Sequence, residues 1–407
     1  MLMYLNIHTR LQYYKNLMMK YTIYKRMKYV SLIALTILII SCSEDPIPLR
    51  DPSTTVGEDT PIEWNAVADS IQEATYTIYL GSEGTFVTDN QGDATFQYWP
   101  NAHVLHILVD GYLRTDDGSY VPKMKALVRG IRSKNGGTYS NVFNDDMLWL
   151  GNSTMRAYNA TNDEEYLDVA KFLWDDVLES YSDVMGGGIA WKKDTPFSKN
   201  AVSNGPAIIL GMRLYDATGE EKYLNRAKEL YEWQKEHLVN PENGIVWDNI
   251  KLVDGNEVIQ KDWVFTYNMG TWIGAGLRLY NETGEQRYLD DALLSARTTL
   301  TSPQLTTSGI LRNEGQGDGG LFKGIFVRYF TEMILEEDIS EEDQSDFLDF
   351  LVFNGETFYN NGLSHPGMLS SPDWNSPPGN QIDLKTQLSG VMLVEAVAKL
   401  EQEGLVE

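Results

Sequence analysis

The sequence predicts an all-α fold, an (α/α)6 barrel of six helical hairpins. Three observations carry that prediction. First, one segment recurs as Tyr158-Asn-Ala-Thr-Asn-Asp-Glu-Glu-Tyr166, Tyr215-Asp-Ala-Thr-Gly-Glu-Glu-Lys-Tyr223 and Tyr280-Asn-Glu-Thr-Gly-Glu-Gln-Arg-Tyr288, at intervals of 57 and 65 residues. A period of that length holds two helices, so the unit is a helical hairpin. In each copy a helix is expected to end at the first Tyr, the Thr-Gly or Thr-Asn pair to reverse the chain, and acidic residues to open the next helix at the positive end of its dipole. Second, the 3.6-residue apolar period gives twelve helices, beginning near Ala66, Tyr98, Tyr120, Asp145, Glu164, Ser203, Glu220, Tyr267, Glu285, Gly320, Glu341 and Thr386. Third, the odd-numbered helices have a charged face, as in Glu220 to His237. The even-numbered ones are small or apolar nearly all round, as in Ala207-Ile-Ile-Leu-Gly and Gly270-Thr-Trp-Ile-Gly-Ala-Gly. A helix apolar on every side must be surrounded by protein, which makes six inner helices and six outer ones.

Taken in chain order, residues 1–41 read as a lipoprotein signal peptide. Ser31 to Ile40 is a short, largely apolar run preceded by Lys25, Arg26 and Lys28, with no acidic residue before Glu44. Met27 is a second candidate start. Cys42, the one cysteine in the chain, follows that run directly and is the expected lipidation site, which implies an outer-membrane lipoprotein exposed on the cell surface; the alternative is a buried thiol in a short anchor helix. A lone thiol also excludes a disulfide framework and a cysteine-based metal site. Residues 42–60, with three prolines and no apolar period, read as a flexible tether. No second linker follows, so 61–407 is expected to be one catalytic domain.

The chain carries a formal net charge of -25. Cleavage after Ser41 would remove six of the 33 basic residues and none of the 58 acidic ones, leaving 27 against 58. Nucleic acid is excluded as a partner, polyanionic substrates are repelled, and a neutral ligand is favoured. The 10 Trp and 23 Tyr fit sugar binding, since flat rings stack on the apolar faces of pyranoses, although aromatic rings also fill cores. Contact with a membrane is expected only through the N-terminal lipid, and the protein is expected to be a monomer.

Links from an inner helix to the next outer one are short, as at Asn281 to Gly284, whereas links from outer to inner are long, as at Asn240 to Thr266 and Thr301 to Gly319. The long loops therefore share one rim, at the N-termini of the inner helices, where function is expected. On that rim Asn144-Asp145-Asp146-Met147-Leu148-Trp149 opens the fourth helix. Asn and Asp there are ordinary caps and first-turn acids. The chemical reading is a carboxylate pair for glycoside cleavage, one ionised to attack the anomeric carbon and one protonated to assist the leaving oxygen. Adjacency separates their pKa values, because ionising one disfavours ionising the other. Consecutive helical residues can set carboxyl groups roughly 5 Å apart, the separation of a retaining double displacement.

Further motifs are Gly186-Gly-Gly-Ile-Ala-Trp191, Asn204-Gly-Pro-Ala-Ile, Val246-Trp247-Asp248, Thr266-Tyr267-Asn268 before Gly270, and Asp318-Gly-Gly-Leu-Phe322-Lys-Gly-Ile-Phe-Val-Arg328. Together with the Asn-Asp-Asp-Met run they resemble glycoside hydrolase family 76, the α-1,6-mannanases, over most of the chain from Tyr139 to Tyr329. The resemblance implies the same barrel and an endo-acting hydrolase of α-1,6-linked mannan. It also implies Asp145 as nucleophile, Asp146 as general acid/base, retention of configuration and no cofactor. One departure is Met269, where the family commonly has Gln; a lost amide there is expected to alter a sugar contact.

Expected substrate contacts are Asn144, Trp191, Asn204, Trp247, Asp248, Tyr267, Asn268, Asp318 and Phe322. Each has a plainer alternative: loop packing for Trp191, a turn for Asp248, and helix capping for Asn204, Asn268 and Asp318. His103 and His106, one turn apart on the second helix, read as a packed or surface pair rather than a metal site. No Walker-type loop, locally supported Ser-His-Asp set or nucleotide fingerprint is present. Two other functions stay open: a non-catalytic mannan-binding lipoprotein using the same cleft, and a different (α/α)6 carbohydrate enzyme acting on anionic or single sugars, which would want basic residues and histidines on the rim.

Overall fold

The computed structural model describes residues 61–406. Twelve α-helices lie among them: α1 (Trp64–Tyr79), α2 (Tyr98–Thr115), α3 (Tyr120–Lys134), α4 (Asn144–Thr161), α5 (Glu164–Leu178), α6 (Ala201–Thr218), α7 (Glu221–Leu238), α8 (Thr266–Thr283), α9 (Gln286–Thr301), α10 (Gly319–Ile334), α11 (Glu341–Thr357) and α12 (Leu384–Gln402). Every expected helix start falls within two residues of an observed one. The expected signal peptide, Cys42 and the 42–60 tether lie outside the described residues.

The even-numbered helices close a ring: α2 packs on α4, α4 on α6, α6 on α8, α8 on α10, α10 on α12, and α12 returns to α2. Their burial follows from their composition. α6 is buried continuously from Ala201 to Leu214, while outer α7 buries only a stripe of Tyr223, Leu224, Ala227, Leu230, Tyr231, Trp233, Gln234 and Leu238. Alternation of all-round and one-sided hydrophobicity is thus what sorts the helices into two layers. This is the (α/α)6 architecture expected.

The repeated segment is the turn between layers, and its geometry refines the expected one. The inner helix runs three residues past the first Tyr, to Thr161, Thr218 and Thr283, each of which donates its hydroxyl to the carbonyl four residues back at 2.7 Å. The next residue, Asn162, Gly219 or Gly284, is left-handed, with φ 54°, 69° and 67°. Its N–H donates to the carbonyl of the first Tyr, an αL cap. A fourth copy, divergent in sequence, sits at Tyr112-Leu-Arg-Thr115-Asp116, with the same hydroxyl bond from Thr115 and a left-handed Asp116. The second tyrosines, Tyr166, Tyr223 and Tyr288, are core residues.

Two short antiparallel sheets were not foreseen. β1 (Ser198–Asn200), β2 (Asn249–Val253) and β3 (Asn256–Ile259) form one; β4 (Thr306–Thr307) and β5 (Ile310–Leu311) form the other. Both hairpins turn on an Asp-Gly or Ser-Gly pair with positive φ, Asp254 and Gly255 at 50° and 79°, Ser308 and Gly309 at 52° and 79°. Such pairs match the primed turns that suit strand twist. They lie in the loops 179–200, 239–265 and 302–318, which enter inner helices and gather on one rim.

Candidate active site

Asp145 and Asp146 occupy the first turn of α4, on that rim. Neither they nor Asn144 cap the helix: the N-cap is Phe143, which makes no side-chain cap bond. The capping explanation therefore does not account for the pair. Both residues keep partial solvent access, while the surrounding protein strips most of the hydration from their carboxyls.

Their environments are unequal. Burial pushes Asp145 up to about 7, held there rather than higher by the backbone N–H groups of Asp145 and Asp146 and by the Trp191 side chain, with a smaller upward push from Asp248. The Asp146 N–H lies 3.2 Å from Asp145 Oδ1. Asp146 is pushed well above the usual carboxylate range by burial first, then by the charges of Asp145 and Asp318. Its one side-chain donor is Asn141 Nδ2, at 3.4 Å. Donors favour the ionised form and like charges disfavour it, so Asp145 ionises first and Asp146 holds the proton.

The Trp191 segment is built to reach Asp145. Asn144 N–H donates to Trp191 O (3.0 Å), and Trp191 N–H donates to Ser198 O (2.9 Å), so the indole is carried on backbone paired on both sides. The glycine run lets that backbone pass Trp233: Gly188 has φ +80°, and a Cβ there would lie 2.6 Å from the Trp233 ring. Fully buried Lys199 fastens the loop from below, its ammonium donating to the carbonyls of Ser182, Val184 and Gly187. Lys199 gave no signal in sequence, because a lysine inside a short loop strand looks like surface.

Across the mouth, Asp248 is buried and accepts from Tyr267 Oη (2.8 Å) and Asn268 Nδ2 (2.9 Å) on one oxygen, with Asn200 Nδ2 at 3.4 Å from the other. Tyr267 stacks flat on half-buried Phe322, with centroids 3.8 Å apart and planes at 6°. Trp247 is half-buried, with Lys261 Nζ 4.6 Å above its ring. Asp318 stands exposed on the rim, 3.3 Å from Lys385 Nζ. Trp191 and Asp248 thus bear on Asp145 and Asp318 on Asp146, Tyr267 and Phe322 are joined to Asp248 by a hydrogen bond and a ring stack, and Trp247 precedes Asp248 in the chain.

The expectation of substrate contact is corrected for three asparagines. Asn144 is fully buried, its amide donating to Ala190 O (2.8 Å) and accepting from Ser180 Oγ (3.3 Å). Asn204 is fully buried and clasps Ile189 in both directions, N–H to Oδ1 at 2.8 Å and Nδ2 to O at 3.2 Å, besides donating to Asn200 O at 2.8 Å. Asn101 clasps Phe86 in the same way, and Asn354 accepts from the Leu311 N–H while donating to Gly309 O, so this is a recurring loop strap. Asn268 is fully buried under Asp248 and orients that acid. Met269 likewise does not reach the mouth: it is fully buried, its sulfur 3.3 Å from the Val246 N–H. The expected loss of a sugar contact at Met269 is therefore also corrected.

The two histidines lie inside the barrel. His103 Nδ1 accepts from Arg328 at 2.9 Å, while burial and the Arg328 charge hold it neutral. His106 Nε2 lies 3.6 Å from Asp110 Oδ2, one helical turn further on. At the opposite end of the barrel His106 lines a cavity with Asp110, Arg156, Glu332 and Glu395, in which Arg156 pairs with Asp110 at 2.7 Å, while Glu395 is paired from behind by Arg114 at 2.9 Å. That end lacks the unequal carboxylate pair found on the rim. Among the described residues no group of three or more His, Cys, Asp or Glu is placed to hold a metal ion.

The family model for glycosyl hydrolase family 76 matches residues 63–391. An α-1,6-mannanase of Salegentibacter sp. HEL1_6 has a closely similar structure, with TM-score 0.82 and 54% identity over 83% of this chain and 99% of that chain. An inactive variant of that enzyme, with two neighbouring aspartates changed to asparagine, has been solved with α-1,6-mannotriose. A family 76 mannosidase of Bacteroides thetaiotaomicron shares the fold at TM-score 0.72 and 22% identity, over 84% of this chain and 99% of that one. The mannan endo-1,6-alpha-mannosidases of Candida glabrata and Saccharomyces cerevisiae are 25% and 28% identical over 64% and 42% of this chain. The chain spans only 64% and 37% of the lengths of those two curated relatives.

Proposed function

Since the chain belongs to glycosyl hydrolase family 76, we propose that it hydrolyses α-1,6-linked mannan from within the chain, using Asp145 and Asp146 in a retaining double displacement. The observation that carries this reading is the unequal treatment of two adjacent carboxyls, one supplied with donors and one surrounded by negative charge. Asp145 Oδ attacks the anomeric carbon as Asp146 passes its proton to the departing glycosidic oxygen. The bond to the leaving sugar breaks and a mannosyl ester on Asp145 forms. Asp146, now ionised, takes a proton from water, whose oxygen attacks the same carbon and releases Asp145. Two inversions give net retention, and the protons balance over the cycle. Trp191 serves twice here, as a donor that keeps Asp145 ionised and as a ring beside the sugar, and Asp248 accepts hydroxyl hydrogens.

Incubation with linear α-1,6-mannan tests the reading: new reducing ends on oligosaccharides of mixed length are expected, and binding without cleavage would move the protein to the non-catalytic reading. The pH profile is more specific. Activity requires Asp145 ionised and Asp146 protonated, so kcat/KM is expected to be bell-shaped, with its acid limb near pH 7 and its alkaline limb higher. Asp318 lies on the Asp146 side and contributes to holding that proton. Asp318→Asn is expected to draw the alkaline limb to lower pH while the acid limb stays in place. Equal movement of both limbs would remove Asp318 from this role.

We also propose that the protein is anchored through lipid on Cys42 and displayed as a monomer at the outer surface of the outer membrane. The support is the run Ile39-Ile40-Ser41-Cys42 and the acids Glu44-Asp45 that follow it. Cys42→Ser is expected to shift the protein from the membrane fraction to the soluble one with its turnover intact; retention in the membrane would contradict the anchor.

A further inference from the structure

One face of the rim carries exposed apolar side chains and takes no part in the chemistry at Asp145 and Asp146. In the β2–β3 hairpin Lys251 pairs with Val258 and Val253 with Asn256, and the two-residue period puts Lys251, Val253 and Val258 on one side. Val253 is 48% exposed, Val258 39% and the nearby Trp263 47%. Lys251 Nζ lies 5.9 Å from the Trp263 ring. These side chains are unusually open for their type in a chain that buries most of its large apolar groups.

The hairpin is continuous with the candidate active site. β2 begins at Asn249, directly after Asp248. The Asp248 N–H donates to Trp263 O at 2.9 Å, and Trp247 pairs with Val264. Two indoles, Trp247 and Trp263, therefore border one pair of strands leading outward from Asp248, and each has a lysine ammonium close to its ring. A flat apolar ring beside a multiple hydrogen-bond donor matches a pyranose, which has an apolar face and a rim of hydroxyls.

Resting on the mannan reading above, we propose that this face is a distal platform for the polysaccharide, gripping the part of an α-mannan chain that extends beyond the sugars around the cleavage point, with Trp263 as its stacking ring. Other occupants fit less well. Lys251 and Lys261 are outnumbered locally by Asp254, Glu257 and Asp262, so an anionic lipid surface is repelled. Two valines and one indole are also far short of the roughly 800 Å² per partner of a stable protein interface. A neutral, hydroxyl-rich polymer carries neither penalty. The platform would set a preference for long chains without altering the bond-breaking step.

Trp263→Ala tests this by separating long substrates from short ones. KM for long linear mannan is expected to rise about 5- to 10-fold, in line with one lost aromatic stack. kcat on mannan and both constants on α-1,6-mannotetraose are expected to stay within about twofold, and Trp263→Phe is expected to recover most of the affinity. Measuring Kd for both ligands in an Asp146→Asn background keeps the test independent of turnover: if the protein binds mannan without cutting it, the long-against-short difference still reports on the platform. Equal weakening toward long and short ligands would place Trp263 in the central cleft, and unchanged affinity for long mannan would leave it without a role; either overturns the proposal. Sedimentation of the wild type and Trp263→Ala is the last arm. Self-association lost in the variant would reassign the face to a second copy of the chain and overturn it too, whereas an unchanged monomer is the expected result.

Discussion

Asp145→Asn is expected to lower kcat on α-1,6-mannan by about 10⁴-fold or more while leaving the affinity for mannan close to that of the native protein. An amide of the same shape keeps the contact with the Asp146 N–H region but has no charge with which to attack carbon. Loss of the covalent intermediate should also be visible as stereochemistry. With azide present, any residual product of Asp145→Asn should arise by one direct displacement and have inverted configuration. Turnover at the native rate would remove Asp145 from the mechanism.

The second large effect is expected at Asp146, and it depends on the leaving group. On mannan, whose departing hydroxyl needs a proton, Asp146→Asn should cost about 10²- to 10⁴-fold. On an aryl mannoside with a strongly acidic phenol the first step needs no proton, so a burst of phenol should precede a slow steady state limited by hydrolysis of the ester on Asp145. Azide needs no general base and should restore turnover, giving a mannosyl azide of retained configuration. Rescue with opposite stereochemistry in the two variants distinguishes nucleophile from acid/base more sharply than loss of activity does. Equal loss on both substrates, with no burst, would contradict the assignment.

The same substitution has a consequence for stability. A carboxyl whose folded pKa lies above its unfolded value stabilises the native state fully below the unfolded value, near pH 4, and loses that contribution as pH rises toward the folded one. Asp146 belongs to this class, so at neutral pH its ionisable group is a burden on the fold. Asp146→Asn is therefore expected to raise Tm at pH 8 and leave it nearly unchanged at pH 3.5. Each kcal/mol recovered is worth roughly 2 °C in a chain of this size. Activity and stability oppose one another at this position, as they commonly do where a site must hold costly charge.

What the sequence determined by itself is what depends on period and local propensity. The repeat at Tyr158, Tyr215 and Tyr280 encodes an αL-capped turn whose parts are all within nine residues, and all-round hydrophobicity of alternate helices leaves only the inner ring as their place. Hence the architecture was legible, and so was the placing of Asp145 and Asp146 on the rim where the long loops gather. The Asp254-Gly255 and Ser308-Gly309 turns carry a hairpin signal, but their strands of two to five residues are too short to show a two-residue period beside the helical one. Only the tertiary structure decided which side chains face the mouth. Asn144, Asn204 and Asn268 carry the same polar groups as a sugar-binding residue, yet each spends them on a loop or on Asp248. Lys199 and Trp191 become part of the site through backbone pairings that span loops. The order in which Asp145 and Asp146 ionise was also beyond the sequence. Two adjacent acids are chemically identical in a string of letters, and their difference comes from the Trp191 donor that the folded chain brings to Asp145 and the Asp318 charge that it brings to Asp146.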